Sequence, residues 1–119
     1  MMIGRVLALG ALLLLTACGG DGAKTPQDCN DPVAATNVKL ADFAFRPDCL
    51  SVEASTMPVT FTLENTGDAP HTFTVTGTDV DINVDAGASV DASLSGLEPG
   101  TYAVTCTFHP QMEATLTVA

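Results

Sequence analysis

The chain has 119 residues, the size of a single domain, with 46% hydrophobic residues, 5% aromatic and no Trp. Its apolar share is largely Val, Leu and Ala beside abundant Thr, a composition that suits strands rather than helices. A formal net charge of −10 excludes nucleic acid as a partner and disfavours adhesion to anionic headgroups, because few cations are present to replace counterions.

Residues 1–17, "MMIGRVLALGALLLLTA", have the make-up of a signal peptide: one positive charge at Arg5, then an apolar run from Val6 to Leu15. That run is too short to span a bilayer. It ends in "LTAC", which resembles the bacterial lipobox. The resemblance implies cleavage before Cys18 and acylation of Cys18. The alternative is an ordinary signal peptide with Cys18 beside its cleavage site. Residues 18–35 are then a lipid-anchored flexible tether, of which the ten residues "GGDGAKTPQD" reach at most roughly 33–36 Å when extended. Cleavage removes Arg5 and leaves three basic residues, Lys24, Lys39 and Arg46, against fourteen acidic ones, a net charge of −11.

Three further cysteines remain. Cys29 and Cys49 lie twenty residues apart in an exported chain, where a disulfide is the default. Cys106 is left without a partner. A free thiol in an oxidising compartment is oxidised unless something occupies it.

From Thr36 a period-two alternation begins, and residues 36–119 are the expected folded domain. Val38/Leu40 and Phe43/Phe45 suggest a first strand with an irregularity near Asp42. Leu50/Val52 follow "RPDC", and Val59/Phe61/Leu63 alternate clearly in "VTFTLEN". After "NTGDAP" come His71/Phe73/Val75, Val80/Ile82/Val84 and Val90/Ala92/Leu94. "GLEPG" then leads to Tyr102/Val104/Cys106, and Ala114/Leu116/Val118 close the chain. Seven or eight short strands punctuated by Gly, Pro and Asp indicate an all-β antiparallel sandwich or barrel. Asp79, Asp81 and Asp85 alternate with Val80, Ile82 and Val84, which places them on a solvated face rather than around calcium.

The same parity rule locates the chemistry. In a half-buried strand, residues of one parity face the core. His71 is in phase with Phe73, Cys106 with Val104, and Met112 with Ala114, so all three point inward at strand ends. His109 sits in the turn between Cys106 and Met112. Each residue alone has an ordinary structural role, for buried Cys and Met are common core fillers. Together they gather both histidines of the chain beside its unassigned thiol. Two imidazoles, a thiolate and a thioether suit copper in a trigonal His₂Cys arrangement with a weak axial Met. Zinc has little use for Met, and calcium or magnesium need oxygen donors.

These residues carry a resemblance to the cupredoxins, over roughly residues 38–119. The Cys-x-x-His-x-x-Met spacing of "CTFHPQM" is similar to the short ligand loop of amicyanin, and Asn65, Gly67 and His71 form an upstream Asn-x-Gly-x-x-x-His. The resemblance implies a Greek-key antiparallel β-sandwich of seven to eight strands, with one copper ion cycling between Cu(I) and Cu(II). It further implies His71, Cys106 and His109 as equatorial ligands, Met112 as the axial one, and His109 as the electron port. The turn "ASTMPVTF" departs from the family in lacking a Gly, and Gln111 and Ala114 replace small glycines near the ligand loop. Around the metal we expect the Thr72 backbone N–H to donate to the Cys106 sulfur, with Phe108 adding a second N–H. Phe108, Pro70 and Pro110 would shield the ion from water. The function implied is one-electron transfer by a membrane-tethered monomer, outside the cytoplasm, between protein redox partners with basic surfaces. A copper-delivery protein using the same ligands is the alternative, and a metal-free interaction sandwich a more distant one. No nucleophile–base pair or phosphate loop is visible, so an enzyme is not expected.

Overall fold

The computed structural model describes residues 27–119. The expected signal peptide, Cys18 and the first part of the tether lie outside the described residues. Nine strands are present among them: β1 (Asn37–Ala41), β2 (Ala44–Arg46), β3 (Cys49–Val52), β4 (Val59–Asn65), β5 (His71–Val75), β6 (Asp81–Val84), β7 (Ser89–Leu94), β8 (Gly100–Thr105) and β9 (Glu113–Val118). A single turn of 3₁₀ helix, Ala54–Thr56, occupies the departing "ASTM" segment. No described helix is long and apolar enough to cross a membrane.

The strands form two facing sheets, ordered β2-β1-β4-β7 and β3-β9-β8-β5-β6. This is the β-sandwich expected from the alternation. Most ladders are antiparallel, but β1 runs parallel to β4 and β3 runs parallel to β9. Alternation has the same period in both kinds of ladder, so strand direction is invisible in it. The segment from Val38 to Phe45 is two strands rather than one irregular one. Ala41 pairs with Ala44, and Asp42 and Phe43 make the connecting turn. Phe45 consequently enters the core while Phe43 is 52% exposed.

The inward positions follow the parity rule. Val38, Leu40, Phe61, Leu63, Ala92 and Leu94 of one sheet meet Leu50, Phe73, Val75, Val104, Leu116 and Val118 of the other, all buried. At the centre Phe73 packs edge-on against Phe45 and tilted against Phe61, each at 6.0 Å between ring centroids. Such offset and edge geometries are the favoured ones for aromatic pairs. His71, Cys106 and Met112 extend this core to one end of the sandwich, where they are also buried.

The disulfide between Cys29 and Cys49 is formed. Val33 adds a parallel bridge to Leu50, with its N–H donating to the Cys49 carbonyl and its carbonyl accepting from Ser51, both at 2.9 Å. Residues 29–33 are thereby fastened along the free edge of β3, and an otherwise open sheet edge is covered.

Candidate metal centre

The centre begins where a ladder ends. β5 and β8 pair only through Thr74–Thr105 and Val75–Val104. Beyond that point the two strands part, and Cys106 enters the gap. The Thr72 backbone N–H donates to its Sγ at 3.3 Å. Residues 106–112 form a compact loop. The His109 N–H donates to the Cys106 carbonyl, the Met112 N–H to the His109 carbonyl, and the Cys106 N–H to the Met112 carbonyl, at 3.3, 2.9 and 3.2 Å. The last of these bonds closes the loop on itself and brings Met112, fully buried, back beside Cys106.

Three donor atoms converge here. His71 Nδ1 lies 3.8 Å from Cys106 Sγ, and His109 Nδ1 lies 3.6 Å from it. One nitrogen from each imidazole and the sulfur all fall within 4.8 Å of one another. Bonds of roughly 2.0–2.3 Å from one ion to such donors put trigonal ligands roughly 3.7 Å apart, so the spacing fits a single metal. The two imidazole rings stand 5.0 Å apart at 61°, edge to face rather than stacked. Cys106 is buried and unbridged. A soft thiolate with two imidazoles is a donor set for copper.

A second layer of contacts holds these residues. The Asn65 side chain, buried at the end of β4, donates to the carbonyls of Ala69 and Val84 and accepts from the Gly67 N–H, each at 2.9 Å. The loop leading to His71 is thus wrapped around one amide. Thr72 Oγ1 accepts from the Thr107 N–H at 2.9 Å and ties the ligand loop to β5. Asp42 Oδ1 lies 3.1 Å from His71 Nε2, on the side of the ring away from Cys106. Its carboxylate also accepts the N–H groups of Asp68 and Ala69. Those bonds, the Asp68 N–H foremost and then His71, hold the Asp42 carboxyl below its usual range.

Asp42 and Phe43 are the residues near the centre that sequence reasoning missed. The only signal was the broken alternation at Asp42. Nothing local tied that position to His71, 29 residues away. The Phe43 ring meets His109 edge-on at 4.9 Å. Phe108, expected to shield the centre, is 53% exposed. Among the described residues Thr72, not Phe108, supplies the backbone N–H directed at the sulfur. Phe108 lies inside the turn closed by the His109–Cys106 bond, which leaves its ring facing outward.

Fold and donor set together define a small β-sandwich built around one soft-metal position. A family model described as "Cupredoxin-like domain" matches residues 5–118. The chain belongs to that family, and its cofactor is one copper ion. A search of curated proteins finds no significant sequence match. Among solved structures, an oxidized amicyanin mutant is 25% identical over 72% of this chain and 83% of its own, with a TM-score of 0.55. A mutant plastocyanin of fern is 24% identical over 70% and 99% of the two chains, with a TM-score of 0.54. A purple cupredoxin from Nitrosopumilus maritimus is 19% identical over 71% and 100%, also at 0.54. A copper-containing nitrite reductase from Thermus scotoductus is similar as well, but this chain spans only 25% of it.

Proposed function

We propose that this protein is a one-electron carrier anchored by lipid at Cys18 on the extracytoplasmic face of a bacterial membrane. His71, Cys106 and His109 would hold its copper, with the Met112 thioether as a weaker fourth donor. The observation that carries this reading is the approach of both Nδ1 atoms to the buried Cys106 sulfur, at 3.8 and 3.6 Å. Copper bound there supplies a Cu(I)/Cu(II) couple. Similar proteins have been solved on both sides of such a couple: the amicyanin mutants in oxidized and Cu(I) forms, and the fern plastocyanin mutant oxidized and reduced.

The protein's part is to keep its donors still. His71 is held from behind by Asp42, and Cys106 and His109 share one closed loop, so little has to move when charge changes. The Thr72 N–H stabilises negative charge on the sulfur and so favours Cu(I). His109 is half-buried beside the exposed ring of Phe43, and is the port through which an electron enters and leaves. The acidic remainder of the chain steers basic protein partners, and the protein acts as a monomer. Residues 1–17 are its signal peptide and residues 18–35 lead from the anchor to the domain of residues 36–119.

Adding Cu(II) to the purified domain tests this directly. An intense visible thiolate-to-copper band is expected, together with its loss in Cys106→Ser. Copper bound without that band would refute the assignment. A slow electron self-exchange combined with rapid copper transfer to an acceptor would instead indicate delivery.

A further inference from the structure

Asp42 stands opposite the metal position across the His71 ring. Its Oδ1 is 3.1 Å from Nε2, while Nδ1 of the same ring faces the Cys106 sulfur. The His71 side chain is 0% exposed and that of Asp42 34% exposed. An ionised carboxylate can only accept at this contact, so the contact calls for a ring proton on Nε2, which in a neutral ring leaves the Nδ1 lone pair facing the sulfur. The carboxylate and the metal position therefore sit at different nitrogens of one imidazole.

The surroundings are built to hold it. Besides the imidazole, the Asp42 carboxylate takes the Asp68 N–H at 3.1 and 3.0 Å and the Ala69 N–H at 3.3 Å. Gly67 leaves the necessary room, because a Cβ there would collide with the Asp42 carboxylate. Phe43, the next residue, sits at φ +71°, a region unfavourable for a bulky side chain. That turn places Asp42 against one imidazole and the Phe43 ring against the other. A two-residue connection therefore reaches both histidines of the centre.

Resting on the copper reading above, we propose that Asp42 is a positioning residue that fixes the tautomer and orientation of His71 and biases the centre toward Cu(II). An anionic acceptor on the far N–H makes the ligating nitrogen more basic, as carboxylates behind metal-bound histidines do. A more basic nitrogen favours the more highly charged ion. This acts against the Thr72 N–H, which favours Cu(I) through the sulfur, so the potential is set by two opposed contacts on neighbouring ligands. Partial hydration of the carboxylate keeps its share moderate.

The test compares wild type, Asp42→Asn and Asp42→Ala after loading with Cu(II). Both variants are expected to keep the thiolate band and to shift the Cu(I):Cu(II) affinity ratio about three- to tenfold toward Cu(I). That is a rise of roughly 30–60 mV for a one-electron couple. Asp42→Ala, which loses the acceptor as well as the charge, should also broaden the band as His71 gains freedom. Wild-type potentials in both variants, with the band intact, would overturn the role of Asp42 and leave the copper reading standing. Absence of the band in wild type overturns both. Nitrogen-15 NMR of the metal-free wild type reads the tautomer directly, whether or not the variants fold. His71 should carry its proton on Nε2, and a proton found on Nδ1 would overturn the proposal.

Discussion

Asn65 uses its amide to tie the loop before His71 to the end of β6: two donated bonds to the Ala69 and Val84 carbonyls and one accepted from the Gly67 N–H. Its side chain is buried, so an alanine there leaves partners that water reaches poorly. Asn65→Ala should lower stability by about 1–3 kcal/mol, read as a shifted denaturant midpoint with an unchanged slope. Asp42 makes a different prediction, about acid. Its folded-state pKa lies below the ordinary 3.8, chiefly through the Asp68 N–H and also through His71. The ionised form is therefore the one that folding favours. The stability it lends is present above the unfolded pKa and is lost as pH falls through the lower folded value. In metal-free protein, the drop in denaturant midpoint between about pH 5 and about pH 3 should be smaller for Asp42→Asn than for wild type. An equal drop would place the acid sensitivity on other carboxylates.

Among the elements, β3 is the one whose stability rests on a covalent link. It is a four-residue edge strand, paired with β9 and fastened on its other side by Val33 and the Cys29–Cys49 disulfide. The bridge closes a separation of 20 residues. In the chain-entropy model such a loop is worth about 3 kcal/mol. Cys29→Ser/Cys49→Ser should lose stability of about that size, and limited proteolysis should then cut within residues 27–35. Compartment and spacing alone point to this pair. The inward faces of the strands are equally legible in the sequence, because alternation is a property of each strand by itself. The β1–β2 hairpin is not. Phe43 and Phe45 have the same parity, and only the backbone turn at Phe43 sends one outward and the other into the core.

Across the whole molecule acidic charge is widespread, and one carboxylate, Asp42, stands directly behind a residue of the metal position. The acidic residues are distributed along the chain, and the Phe43 ring stands exposed beside His109. On the proposed electron-carrier reading, a basic partner approaching His109 would meet the Phe43 ring at contact and the field of a chain of net charge −10 at a distance. Its association rate should fall steeply as ionic strength rises, while the rate of electron transfer within the complex should change little. Stopped-flow measurement with a basic redox protein at several salt concentrations checks this. A flat salt dependence would show that acidic charge plays no part in the encounter. Copper loading should also raise the melting temperature, since an ion that binds only the folded chain stabilises it by mass action.

Strand content, the inward parity of His71, Cys106 and Met112, and a soft-metal donor set were all contained in the order of residues. Parity follows from local periodicity, and Cys106, His109 and Met112 lie a few positions apart, while His71, 35 residues from Cys106, joins them through its residue type and parity alone. The direction of β1 against β4, the turn at Asp42 and Phe43, and the contact between Asp42 and His71 were decided by the tertiary fold. Leu40 lies beside Asn65 because two strands pair in parallel. That register delivers the residue two positions after Leu40 to the loop before His71. Register depends on which distant strands bury their faces together, and no local pattern records it.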